Sequence, residues 1–137
     1  GTGEAEVLEK AYEEAGIRAC VTPFMDQMGL AWGAASVTIS RAGANSVGEI
    51  QANAVPTIFL PYPHHRDRHQ FHNAQPLVDA GGALLIEDHD DEITASKVSH
   101  ELVSCLADDS RLMAMSGSLA AQATPGAAKA VADLLIV

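Results

Sequence analysis

The 137 residues carry 18 acidic against 8 basic side chains, a formal net charge of −10 with histidine neutral. That balance argues against a nucleic-acid or anionic-membrane partner, because no basic patch outweighs it; the one basic island is His64-His65-Arg66-Asp67-Arg68-His69. Hydrophobic content of 47% with 4% aromatics, in a chain rich in Ala and Gly, predicts one domain over residues 1–137 with close packing of helix on sheet.

The chain opens on Gly1-Thr2-Gly3, read as a loop leaving a strand that is not present, so a fragment of a longer protein is expected. Glu4 to Ala15 reads as a helix whose acidic start complements the helix dipole, with Gly16 as its stop. Ala19-Cys20-Val21-Thr22 reads as a short strand ended by Pro23. Asp26 to Gly33 reads as a short helix capped by Asp26. Cys20 and Cys105, far apart and without a CxxC pattern, read as buried thiols of a cytoplasmic protein.

Ser36-Val37-Thr38-Ile39-Ser40 is a β-branched strand, followed by the turn Arg41-Ala42-Gly43 and a helix from about Val47 to Ala54. Ser46-x-x-Glu49 fits a capping box, and the turn lies where open α/β sheets bind ligands. Val55-Pro56 closes the helix, and Thr57-Ile58-Phe59-Leu60 is a short apolar run of the kind a buried parallel strand shows. Pro61-Tyr62-Pro63 forces an extended turn. From Arg66 a helix is predicted through Gln75, with Pro76 kinking or restarting it before Gly81-Gly82.

Ala83-Leu84-Leu85-Ile86 is the next strand. The run Glu87-Asp88-His89-Asp90-Asp91-Glu92 reads as a solvated charged loop without chemistry. Thr94 is the expected cap of a helix to Leu106, Asp108 to Ala123 is helical, and Thr124-Pro125 starts a last helix. Alternating strands and helices give an α/β class with a parallel sheet. No run reaches the roughly 18 apolar residues of a membrane span, and no signal peptide opens the chain.

Two strand-to-helix turns, Arg41 to Glu49 and Pro61 to Asn73, fall along one sheet edge. Free amides at a helix start cradle phosphate, and a Glu one turn further in accepts from sugar hydroxyls. His64, His65, Asp67, His69, Gln70 and Asn73 supply amides and imidazoles beside a carboxylate, donors and acceptors suited to sugar hydroxyls, with Gln70 and Asn73, and His69 and Asn73, sharing helix faces. This predicts a nucleotide-sugar site. The rival for the same residues is zinc on His65 and His69 with His72 or Asp67 as third ligand, although H-E-x-x-H is absent. A polar, solvated helix start is the third reading. No nucleophile pairing and no P-loop motif is present.

Together, Ser40-Arg41-Ala42-Gly43-Ala44-Asn45-Ser46-Val47-Gly48-Glu49-Ile50, then Val55-Pro56, Leu60-Pro61-Tyr62-Pro63-His64 and Asp67-Arg68-His69-Gln70-Phe71-His72-Asn73-Ala74, resemble the carboxyl-terminal half of the MurG family, over almost the whole chain. That family transfers N-acetylglucosamine from UDP-N-acetylglucosamine to lipid I, giving lipid II of peptidoglycan. The resemblance implies the Rossmann-like donor half of a GT-B fold, truncated at its start. It implies a donor site of Arg41, Gly43, Asn45, Ser46, Glu49, His64, His69, Gln70 and Asn73. Glu49 would meet the ribose, Asn45-Ser46 the phosphates, and His69, Gln70 and Asn73 the N-acetylglucosamine. Donor binding without a metal and an inverting displacement are also implied.

Family members often carry Leu or Ser with Thr at the Asn45-Ser46 step, and Gln or His at His69, so the departures are mild. No catalytic residue is expected in this chain, because the presumed base, the membrane-docking patch and the acceptor domain belong to the missing half. The full-length protein would be peripheral on the inner face of the plasma membrane. Two alternatives remain: a free-standing donor-binding subunit working beside a separate acceptor half, or another GT-B transferase using UDP-sugars. A truncated sheet is also expected to expose apolar surface and to self-associate.

Overall fold

A computed structural model describes residues 2–64, 67–123 and 126–135. The chain forms two compact units, residues 1–31 and 32–137. The first holds helix α1 (Thr2–Glu14) and an irregular segment leading into α2 (Met28–Ala34), which ends in the second unit. Gly16 stops α1 as expected: at φ +68° it takes the left-handed turn that lets the Ile17 amide reach the Tyr12 carbonyl at 2.9 Å. Helix already covers Thr2 and Gly3, where a loop is predicted, and Gly1 lies outside the described residues.

Further expectations fail in this unit. Residues 19–22 form no strand, because a strand needs a ladder partner and none pairs with them among the described residues. Cys20 is exposed, and only Cys105 is a buried thiol. Helix α2 also starts two residues beyond Asp26.

The second unit is the α/β body that the sequence predicts. Strands β1 (Thr38–Ser40), β2 (Thr57–Phe59) and β3 (Ala83–Leu85) form a parallel sheet in the order β1-β2-β3. Ile39 pairs with Ile58, and Ile58 with Leu84. All three β2 residues are buried, as its continuous apolar run requires of a central parallel strand. Helices α3 (Ala44–Asn53), α4 (His69–Asp79), α5 (Glu92–Leu106), α6 (Asp109–Gln122) and α7 (Ala127–Leu135) complete the described elements. Thr124 and Pro125, the predicted start of the last helix, lie outside the described residues.

The core is one apolar cluster. Val47 and Ile50 of α3, Ala74 and Leu77 of α4, Phe59, Ala83 and Leu119 of α6 pack with Ala42. Gly82 makes this packing possible, since a Cβ there would lie 2.5 Å from Leu119 Cγ. Helix α5 packs on β2 and on α6. Arg111 of α6 ties these two helices, donating to Ser104 Oγ at 2.8 Å and Glu101 Oε2 at 2.9 Å.

Helix starts differ from expectation at α3 and α5, and α4 begins at His69 rather than at Arg66. α3 begins at Ala44 with Gly43 as N-cap, so Ser46 is already inside its first turn and no capping box forms. Asp91, not Thr94, caps α5 by accepting from the Thr94 amide at 2.7 Å. Thr94 is buried, and its hydroxyl accepts from the His89 amide at 3.2 Å. Pro76 neither breaks nor restarts α4, which runs unbroken through it. The carbonyl four residues back belongs to His72, which is exposed, so water can replace the bond that proline cannot give. Among the described residues no helix is long and apolar enough to cross a membrane.

Candidate functional site

The loops after β1, β2 and β3 leave the same end of a parallel sheet, and polar side chains tie them together. Arg41, the first residue past β1, donates from one guanidinium nitrogen to the Leu60 carbonyl at 3.0 Å and the Pro61 carbonyl at 3.4 Å. The same nitrogen lies 2.6 Å from Asp88 Oδ2, in the loop after β3. The Arg41 guanidinium carbon also stands 5.8 Å from the Tyr62 ring centroid. Asp88 is held below the usual aspartate range, first by the Asp90 amide and then by Arg41.

Helix α4 also joins the loops after β1 and β2. Asn73 Nδ2 donates to the Ala42 carbonyl at 3.1 Å, and Gln70 Oε1 accepts from the Tyr62 amide at 2.9 Å. Both amides are therefore tied to backbone, with one end of each side chain used in positioning. His69 Nδ1 lies 2.8 Å from Asp67 Oδ1, and His64 meets the Tyr62 ring edge-on with centroids 5.3 Å apart.

Helix α3 starts directly beneath this knot. Gly43 has extended backbone, φ −65° and ψ 147°, and no side chain caps the helix. The first intrahelical acceptor is the Gly43 carbonyl, which takes the Val47 amide at 2.9 Å. The amides of the first turn, through Asn45 and Ser46, precede that bond and are the ones a helix leaves to external acceptors. Asn45 is exposed and Ser46 half-buried. One turn on, Glu49 is exposed, and its Oε2 accepts from Trp32 Nε1 at 2.7 Å.

The structure thus gathers Arg41, Gln70 and Asn73 around the two predicted turns, with Gly43, Asn45, Ser46 and Glu49 along one helix start. Sequence reasoning missed Trp32, which reads only as an apolar helix residue, and Asp88 and Glu87, which it placed in a loop without chemistry. The signal was available for the acids: they follow a strand at the ligand-binding end of the sheet. Between residues 61–63, Arg68, Phe71 and residues 87–89 lies a cavity of about 200 Å³. Arg68 there pairs with Glu87 and lies over the Phe71 ring at 4.3 Å, so part of the basic island is neutralised. Among the described residues, no three His, Cys, Asp or Glu side chains are placed to hold a metal ion. His65, half of the zinc-like pair, lies outside those residues.

Residues 1–131 match the glycosyltransferase family 28 C-terminal domain. The chain belongs to that family. A relative from Solibacter usitatus is a UDP-N-acetylglucosamine–N-acetylmuramyl-(pentapeptide) pyrophosphoryl-undecaprenol N-acetylglucosamine transferase. It is 38% identical over 136 residues, 98% of this chain and 36% of that protein. A transferase of the same name from Agrobacterium fabrum is 39% identical over 125 residues, 91% of this chain and 32% of its own length. The crystal structure of Acinetobacter baumannii MurG superimposes with a TM-score of 0.82 at 29% identity, covering 98% of this chain and 38% of that one. The family 28 domain here thus spans about a third of the length of the curated relatives it matches. Its resemblance to MurG, and its place in the carboxyl-terminal part of such proteins, are as the sequence implies.

Proposed function

We propose that this domain binds the UDP-N-acetylglucosamine donor of an inverting glycosyltransferase that passes N-acetylglucosamine to lipid I in peptidoglycan synthesis. The observation that carries the reading is the uncapped start of α3, with Glu49 one turn further in, lying at the end of a parallel sheet where Asn73 is bonded to Ala42. The first-turn amides and Ser46 would take the diphosphate, where the helix dipole favours negative charge. Glu49, oriented by Trp32, would accept from the ribose hydroxyls. The remaining polar atoms of Gln70 and Asn73, with His69 and His64, would face the sugar.

Stabilising the departing UDP at a helix start needs no metal ion, so donor binding is expected without one. The acceptor, the base that deprotonates it and the peripheral membrane contact would come from an acceptor domain outside these residues. The relatives' names support this reading, since they specify the same donor group and acceptor class.

Trp32 is the only tryptophan in the chain, and its indole is bonded to Glu49, so its fluorescence reports on the site. Titration with UDP-N-acetylglucosamine, UDP-glucose and UMP, with and without a divalent metal, is the test. The N-acetylglucosamine donor should bind preferentially and without metal. Glu49→Ala should weaken it by about tenfold or more, the scale of hydrogen bonds to a charged group. Binding that requires metal would favour the histidine cluster instead.

A further inference from the structure

Asp88 belongs to the charged run after β3, yet it is unlike its neighbours. Its side chain is 16% exposed, against 52% for Glu87 and 62% for His89. Both carboxylate oxygens are engaged: Oδ1 accepts from the Asp90 amide at 2.9 Å, and Oδ2 meets Arg41 at 2.6 Å. Through the Leu60 and Pro61 carbonyls, that one guanidinium joins the loops after all three strands. Arg41 is itself 49% exposed. A long, rotamer-rich side chain on the surface holds two carbonyls well only if its charge is also anchored, and charge-assisted bonds are the stronger kind.

We propose that Asp88 is a positioning residue of the candidate site, acting through Arg41 to fix the turn after β1 against the loop after β2. The proposal rests on the donor-binding reading for its purpose. Gln70 is bonded to Tyr62 in one of these loops and Asn73 to Ala42 in the other, so a slip of either loop carries a candidate sugar contact with it. The turn after β1 also sets where the first amides of α3 point. Misplacement by about 1 Å is enough to cost large factors in a bound geometry.

The test compares the unmodified chain with Asp88→Asn, Arg41→Ala and the double variant. Asparagine keeps an oxygen for the Asp90 amide but loses the charge that holds Arg41, which separates the clamp from the local turn. Amide hydrogen exchange, melting temperature and affinity for UDP-N-acetylglucosamine are measured on each. Asp88→Asn should speed exchange about tenfold at the bonded amides of Val47, Leu60 and Tyr62, leave β2 and α6 unchanged, and weaken donor binding about tenfold, the scale of coupled charge pairs. The double variant should bind no worse than Arg41→Ala alone.

Unchanged loop exchange overturns the proposal. So does faster exchange with unaltered donor affinity, additive losses in the double variant, or a general loss of protection with a fall in melting temperature, which marks a merely structural role. If Asp88→Asn does not fold, Arg41→Lys takes its place, keeping the charge without the planar fork. An unmodified chain that binds no UDP-sugar overturns the donor reading, and the loop exchange still decides the clamp.

Discussion

On the α6 side of the sheet, Phe59 and Leu119 are fully buried and Ala83 nearly so, in one apolar cluster with Ile50, Ala74 and Leu77. At the carboxyl ends of the same strands, Arg41 and Tyr62 stay 49% and 43% exposed, and the loops are joined by bonds from side chain to backbone. The first region gains its free energy from apolar area removed from water, which has no direction and does not titrate. The second region gains little stability, because exposed ion pairs are worth little. What its bonds supply is direction. A binding site at the ends of strands needs fixed loop positions, and the buried cluster lets those loops be polar without endangering the fold.

Substitutions that damage one region and spare the other sharpen that contrast. Leu119→Ala should have the largest effect, a loss of about 2–5 kcal/mol in denaturant unfolding, because a fully buried leucine leaves a cavity as well as a lost transfer term. Donor affinity of the folded fraction should be unchanged. Gly82→Ala should cost about 1–3 kcal/mol by overpacking against Leu119. Combined with Leu119→Ala it should cost less than the sum, since the new methyl enters the space the leucine vacates; an additive result would show that the two do not share a contact.

Asn73→Ala removes a single bond to the Ala42 carbonyl and should cost about 1 kcal/mol of stability. Its effect on donor titration should be larger than its effect on unfolding, the reverse of the two core variants. The smallest effect is that of pH. Asp88 has its folded-state pKa lowered by the Asp90 amide and by Arg41, so the unfolded chain binds the proton more readily. Its contribution is therefore complete above the ordinary aspartate range, near 3.9, and is lost as pH falls through the lowered folded-state value. Hydrogen exchange at the bonded amides of Val47, Leu60 and Tyr62 should rise over that acid range before the β2 amides follow. Simultaneous loss in both regions would break the distinction between them.

The apolar runs at residues 57–60 and 83–86 and the β-branched run ending at Ser40 were legible as strands, because a short buried parallel strand has few other compositions open to it. Residues 19–22 have similar local character but no partner strand, and pairing is a property of the whole sheet. The helix after the Arg41 turn was legible, but its start was not: Ser46-x-x-Glu49 satisfies the local rule for a cap, while the helix is capped three residues earlier, at Gly43, and Glu49 meets Trp32. The candidate residues of both turns were found because they recur in a family pattern at fixed spacing. Asp88 was missed because a run of acids carries no mark of which one meets the distant cation Arg41.

Local pattern along the chain is enough for the α/β class, for the order of the three strands' apolar runs and for the two turns that carry the candidate donor residues. Each of these rests on interactions within a few residues or on a repeating pattern of burial. Which polar groups meet is settled in three dimensions: Arg41 with Asp88, Asn73 with Ala42, Gln70 with Tyr62, and Trp32 with Glu49. Such pairs depend on direction and distance between loops far apart in the chain, and no local spacing encodes them.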